Sequence, residues 1–320
     1  MLRWTLHRVG AGVALVWLVA TVTFLLVSLA PGDFASRLND PRIPPAARLR
    51  WRRQFGLDRP LPLRYASWLA AAATGDLGTS WTYKQDVTTV LAEVLPNTLM
   101  LTTLGLALEF IGGISLAIVQ LRRPHGLGDR AITLATLGAY ALPTFGVALG
   151  LIALLSYRLH LLPPSHMYSL EGELATGWQR AADLARHLVL PVTAIGVTGV
   201  GAVARYLRGS LLDERREQYV LAARARGCSQ RRAIVRHALP NAILPLITML
   251  GMSLPFLVSG SLVIEVVFSW PGMGQVMFNA ALGRDLPLLL GGTIIATAAV
   301  VAGNFLADVA YAVADPRVRV

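Results

Sequence analysis

The side chains that could do chemistry in this 320-residue chain are few, and many of them share one stretch. Residues 213–241, DERREQYVLAARARGCSQRRAIVRHALPN, carry a dense run of arginines, Tyr219, His237 and the only cysteine, Cys228. A lone thiol forms no internal disulfide, and no metal or redox motif accompanies it. The one lysine, Lys84, stands in Tyr-Lys-Gln, whereas a phosphate-cradling P-loop needs Gly-Lys-Ser/Thr. Neither His-Glu-x-x-His nor Gly-x-Ser-x-Gly occurs, so zinc-hydrolase and serine-hydrolase chemistry have no signature. His160 and His166 flank LLPPS, but a metal site wants more ligands in a fixed geometry.

Three carboxylates interrupt apolar segments: Glu109, Glu265 and Asp308. A charge at membrane depth is costly and commonly functional. Glu109 could meet a substrate amine, a watery pathway or a neighbouring chain. Glu265 precedes FSWPGMG and is expected to brace that loop or to serve a gate. Asp308 is expected to pair with an arginine or to cap backbone groups.

The elements that must position these groups are membrane helices. Hydrophobic residues make up 54% of the chain and charged ones 15%, with mean hydropathy +0.55. Soluble domains carry about 25% charge. Spans need about 20 mainly apolar residues. Six fit, at 9–30, 96–121, 131–157, 187–206, 241–267 and 287–313. The first is read as a retained anchor, because its apolar run exceeds the roughly 7–15 residues of a signal peptide.

Arginine placement orients the spans. With both termini cytoplasmic, the inner segments hold 16 basic and five acidic residues, against 13 and 10 outside. That asymmetry accounts for the net charge of +11 without nucleic acid. Between the first two spans, 31–95 reads as a small external subdomain. Helices are expected at 46–55 and 63–72, with a turn at GDLG (75–78). It could cap the bundle or dock an external partner.

The stretch at 213–241 reads as helix, tight turn, helix. Good helix formers fill 213–226, Gly227 is a natural C-cap and Ser229 an N-cap, and Pro240 precedes the fifth span. Three roles compete. Arginines could rest on anionic lipid, contact nucleic acid, or dock a cytoplasmic protein. Ala222, Ala223 and Ala225 leave one turn with little bulk, which favours close approach to a protein groove. No aromatic platform accompanies the arginines, which disfavours nucleic acid.

YVLAARARGCSQRRAIVRHALPN (219–241) resembles the EAA loop of ABC-transporter permeases. Ala222, Ala223, Gly227, Ile234, His237, Leu239 and Pro240 match, while Leu221 replaces the motif's glutamate. The form seen here is typical of the dipeptide, oligopeptide and nickel permeases. FGLDRPLPLRYASWL (55–69), GDLGTS (75–80), LPNTL (95–99), FSWPGMG (268–274) and DPRVRV (315–320) are similar to that subfamily in the same order, and point to the first of its two permease chains.

The resemblance implies an all-α, six-span type I ABC importer fold. It divides the chain into 1–95, a permease core over 96–313 and a cytoplasmic tail at 314–320. It implies a second homologous permease, two cytoplasmic P-loop ATPases that hold ATP and magnesium, and an extracytoplasmic substrate-binding protein. This chain itself would hold no cofactor or metal and would sit in the bacterial inner membrane. Tyr219, Ala222, Ala223, Arg224, Arg226, Gly227, Arg231, His237 and Pro240 would form the coupling element, with Ala222, Ala223 and Gly227 in the ATPase groove. Glu109 and Glu265 would belong to the pathway or a gate. Cargo would be di- or oligopeptides, alternatively nickel or another small solute. From another class, an ion-gradient-driven transporter would need no groove-docking helix, and neither would a membrane hydrolase.

Overall fold

The computed structural model describes residues 2–29, 58–259 and 262–314. The expected helix at 46–55 and the tail at 315–320 lie outside the described residues. Among the described residues the fold is helical, with one isolated bridge, Thr79 to Asp86.

Four helices are long and apolar enough to cross a membrane. Their apolar lengths are Leu6–Leu29 within α1 (Leu2–Leu29), α3 (Val87–Gln120), α7 (Gly177–Glu214), and Leu286–Leu306 within α14 (Leu286–Ala314). Two bent pairs bring the number to six. One joins α4 (Leu127–Ala141) to α5 (Thr144–Leu151), which a π-turn extends to Arg158, and it bends by 103°. The expected span at 131–157 is therefore broken. Pro143 cannot donate to the helical ladder and pushes Leu142 into extended backbone, at ψ 137°. The other pair bends by 48° near Ile243. α3 begins at Val87, well before the expected start at Pro96, and carries that proline in its interior.

α3 and α7 form the heart of the bundle. Their approach is close because glycines face branched side chains. A Cβ at Gly105 would stand 2.6 Å from Ile195, and one at Gly113 would stand 2.6 Å from Val203. Small residues at such crossings are how helices pack where no hydrophobic drive separates protein from lipid. Around this pair lie two cores. Leu106, Phe110, Leu207 and Leu211 anchor one, and Leu101, Leu190, Ile264 and Trp270 the other.

A third core holds the segment after α1. α2 (Leu61–Ala73) forms at the expected 63–72. GDLG turns as expected, with Gly75 at φ 86° and Gly78 at φ 81°. Phe24 of α1 is buried against Tyr65 and stacks on Trp68, with centroids 5.5 Å apart. Asp285, fully buried, accepts from the Ser80 hydroxyl at 2.6 Å and the Thr82 N–H at 2.8 Å, and so ties the loop after α2 to the start of α14. At the other end of α14, Arg8 pairs with Asp308 at 2.9 Å, the partner type expected for that carboxylate.

Candidate functional site

The stretch at 215–242 packs on the end of α7. The expected single helix over 213–226 is corrected. α7 runs through Glu214, residues 215–217 turn, and a separate α8 covers Gln218–Ala225. The reason lies in helical phase. Leu211 and Val220 are both buried in the same core. A straight helix rotates about 100° per residue, so nine residues would set them on opposite faces. The turn at 215–217, closed by Glu217 N–H donating to the Glu214 carbonyl at 3.1 Å, brings both inward.

The end of α8 is sharply defined. Gly227 has φ 87°, its N–H donates to the Arg224 carbonyl at 2.9 Å, and the Cys228 N–H donates to the Ala223 carbonyl at 3.2 Å. These two bonds are the Schellman pattern that a left-handed residue permits. The Ser229 side chain then caps α9 (Gln230–Ala233), accepting from the Arg232 N–H at 3.4 Å. Pro240 does not break the helical path. It sits within α10 (Leu239–Ala242), directly after a π-turn at Ile234–Ala238. The wider π-turn accommodates a residue that lacks an N–H and whose ring would crowd the preceding turn.

Tyr219 fastens this unit. Its hydroxyl donates to the Glu214 carboxylate and accepts from the Asn241 side chain at 2.8 Å. One phenol thus joins the end of α7, the start of α8 and α10. Burial, followed by the Glu214 hydrogen bond, pushes the Tyr219 pKa above its ordinary 10.0.

The faces of α8 are unequal. Val220 and Ala223 are buried in this chain's own core, while Leu221, Ala222, Arg224 and Ala225 are exposed, as are Arg226 and Gly227 beyond it. Ala222 and Gly227 are exposed, whereas Ala223, expected with them in the ATPase groove, is only 3% exposed and is turned into this chain. Arg231 is exposed beside Arg232 and Arg236. His237 is half-buried, and among the described residues its ring makes no hydrogen bond.

Further back along α7 sits a lock that no local sequence pattern marks. Asp129, 5% exposed, accepts from Arg208 Nε at 2.9 Å and Nη2 at 2.6 Å, from Gln120 Nε2 at 2.8 Å and from the His125 N–H at 2.8 Å. It binds α3 and α4 to α7 six residues before α7 ends. A sequence separation of 79 residues hides such a pair from any local pattern.

Glu109 and Glu265 are not brought together. Glu109 is half-buried on α3, its carboxylate over Gly199 of α7, where a Cβ would stand 2.2 Å from the carboxyl carbon. No hydrogen bond or ion pair to it is formed among the described residues. Glu265 lies on α12 (Leu262–Val267), fully buried. It accepts from the Thr98 hydroxyl at 3.0 Å and the Gln275 N–H at 3.1 Å. Trp270 Nε1 donates to the Asn97 carbonyl at 3.0 Å beside it. The carboxylate therefore ties FSWPGMG to α3, and the bracing expected of it is what the geometry provides.

Comparison with known proteins agrees with this architecture. Residues 109–320 match the family described as the binding-protein-dependent transport system inner membrane component, and 1–102 match the N-terminal component of such systems. The chain is 32% identical to the oligopeptide transport system permease protein AppB of Bacillus subtilis, with 100% of both chains covered. It is 31% identical to the di/tripeptide transport system permease protein DppB of Pseudomonas aeruginosa, and 33% to the glutathione transport system permease protein GsiC of Pectobacterium atrosepticum. In both cases 100% of this chain and 99% of the relative are covered. The chain thus has full-length counterparts among transport permeases, and it belongs to the inner-membrane permease components of binding-protein-dependent ABC transport systems.

Proposed function

We propose that this chain forms half of the translocation pathway of an ATP-driven importer for di- or oligopeptides. The relatives named for oligopeptide and di/tripeptide transport support that cargo. The end of the bundle carrying α8 is cytoplasmic, as are both termini. The observation that carries the coupling role is the exposed side of α8, short, stiff and fixed at both ends by Tyr219 and Gly227.

In this reading the outward face of Leu221, Ala222 and Ala225 sits in a groove on a P-loop ATPase, with Arg224, Arg226 and Arg231 at its rim. ATP and magnesium bind the ATPases. Closure of the ATPase pair pushes α8, and the Tyr219 clamp passes the displacement to α7 and to the fifth span. The Asp129–Arg208 pair makes α3 and α4 move with α7. Glu109 lies on the pathway, and Glu265 braces the external gate. A second permease completes the pathway, and a binding protein delivers cargo to the far end.

The test is a cysteine at Ala222 in a tagged chain, crosslinked in native membranes and identified by mass spectrometry. Crosslinks to a P-loop ATPase, with a second permease co-purifying, are expected. Recovery of this chain alone after crosslinking overturns the proposal.

A further inference from the structure

Two arginines one turn apart on α7 have different surroundings. Arg208 is neutralised by Asp129, with Nη2 2.6 Å from the carboxylate. Arg205 makes no hydrogen bond or ion pair among the described residues. Its side chain runs back along α7, where a Cβ at Gly201 would stand 3.2 Å from Nη1. That nitrogen is buried with no hydrogen-bond partner. The guanidinium lies over the ring of Tyr140 on α4, 5.1 Å from its centroid, and Tyr140 is 60% exposed. A ring face attracts a cation but does not neutralise it. The charge also lies deep. Tyr140 is about 14 Å along α4 from Ala131, where the apolar run begins, close to half of an approximately 30 Å hydrocarbon core. Directly beyond it the span breaks, with Leu142 extended and both Leu142 and Pro143 exposed. Non-helical backbone at this depth occurs where it is buried in protein or lines a water-filled cavity, not against lipid. An unneutralised arginine obeys the same rule. The face that carries Arg205, Tyr140 and the break is therefore no lipid surface.

We propose that Arg205, seated on Tyr140, binds the C-terminal carboxylate of the cargo as it crosses. This role rests on the peptide-import reading above. Peptides with different side chains share that one anion, and a planar guanidinium meets a carboxylate with two parallel hydrogen bonds. A lipid phosphate belongs at headgroup level, about 15 Å from the middle of the hydrocarbon. A fixed carboxylate from the second permease would close the site for good. The open ring of Tyr140 and the exposed break beside it suit a ligand that comes and goes. Arg205 thereby gives the permease its own preference for free-acid peptides, separate from any choice made by the binding protein.

The experiment uses proteoliposomes holding the whole transporter, supplied with binding protein loaded to saturation with a tripeptide or with its C-terminal amide. Loading is measured separately on the binding protein, so that uptake per loaded binding protein reports the membrane step alone. The parent is expected to favour the free acid about tenfold. Arg205→Gln is expected to reduce that ratio to about twofold or less. Arg205→Lys, which keeps the charge but not the fork, should retain part of it. Native mass spectrometry checks that each variant still holds the second permease and the ATPases. Equal uptake of acid and amide by the parent overturns the proposal, with no variant needed. An acid-to-amide ratio unchanged by Arg205→Gln also overturns it. So does loss of the second permease from the Arg205→Gln complex, which would assign the charge to the interface between permeases. A parent that takes up neither form, but does take up another solute, removes the peptide-import reading itself and this role with it.

Discussion

Gly227 offers the sharpest test of how α8 is held. Its φ of 87° lies where an L-residue costs about 1–2 kcal/mol, and a β-branched one more. Among the described residues beyond its two chain neighbours, nothing stands within 4 Å of where its Cβ would be, so the cost arises from the backbone and not from a clash. One to two kcal/mol shifts a local equilibrium by a factor of about 5–30. Gly227→Ala should therefore leave the bundle folded while releasing the cap that ends α8. Gly227→Val should do so more completely. Gly227→Asn should behave close to the parent, since asparagine tolerates the left-handed region. In proteoliposomes holding the whole transporter, the quantity to measure is cargo taken up per ATP hydrolysed. Expected values fall in the order glycine, asparagine, alanine, valine, with about a tenfold loss at valine. Parent-like uptake by the valine variant would refute the argument. Equal damage from asparagine and valine would also refute it, by showing that bulk in the partner's groove, and not backbone geometry, sets the requirement.

Tyr219→Phe removes the hydroxyl joining Glu214 and Asn241. At this exposed position the loss is about 0.5–1 kcal/mol, so uptake per ATP should fall two- to fivefold with ATP hydrolysis retained. Because burial raises the Tyr219 pKa above 10.0, the neutral hydroxyl and its clamp persist below that pH and are lost only as pH rises through the raised value. A pH series that uncouples the parent near neutrality, but not Tyr219→Phe, would contradict this. Asp129→Asn leaves Arg208 without its charge partner and should cost about 2–4 kcal/mol, seen as a lower melting temperature. Asp129→Leu/Arg208→Met should recover part of that loss. Gly199→Ala pushes a methyl into the Glu109 carboxylate and should depress uptake as Glu109→Gln does, whereas normal uptake would show that the seat over Gly199 is dispensable.

What was legible in the sequence was what is encoded locally. Apolar runs marked the spans, Gly227 and Ser229 marked the turn, and the lone carboxylate at Asp308 called for an arginine. Pro143 was also local, and it marks the sharpest bend in the bundle, yet the apolar run on both sides conceals the break from hydropathy alone. The burial of Ala223 was not legible, because its face depends on where α7 stops and on how the chain turns before α8 begins. The Asp129–Arg208 pair and the Tyr219–Asn241 bond join residues 79 and 22 positions apart, and nothing in the intervening residues records them.

The pairing of α1 with α14 has a consequence for how the protein is made. The Arg8–Asp308 pair and the seat of Val301 on Gly12 form only after about 300 further residues have been synthesised. At about 5–20 residues per second, the first helix waits roughly 15–60 s in the membrane with its binding side unfilled. During that interval the notch at Gly12 distinguishes a chain without α14 from one that has it. A ribosome that stops before α14 leaves this notch open, and a membrane protease that reads loosely packed helices has a ready basis for removing the fragment. A helix made long after the first is the one that completes it.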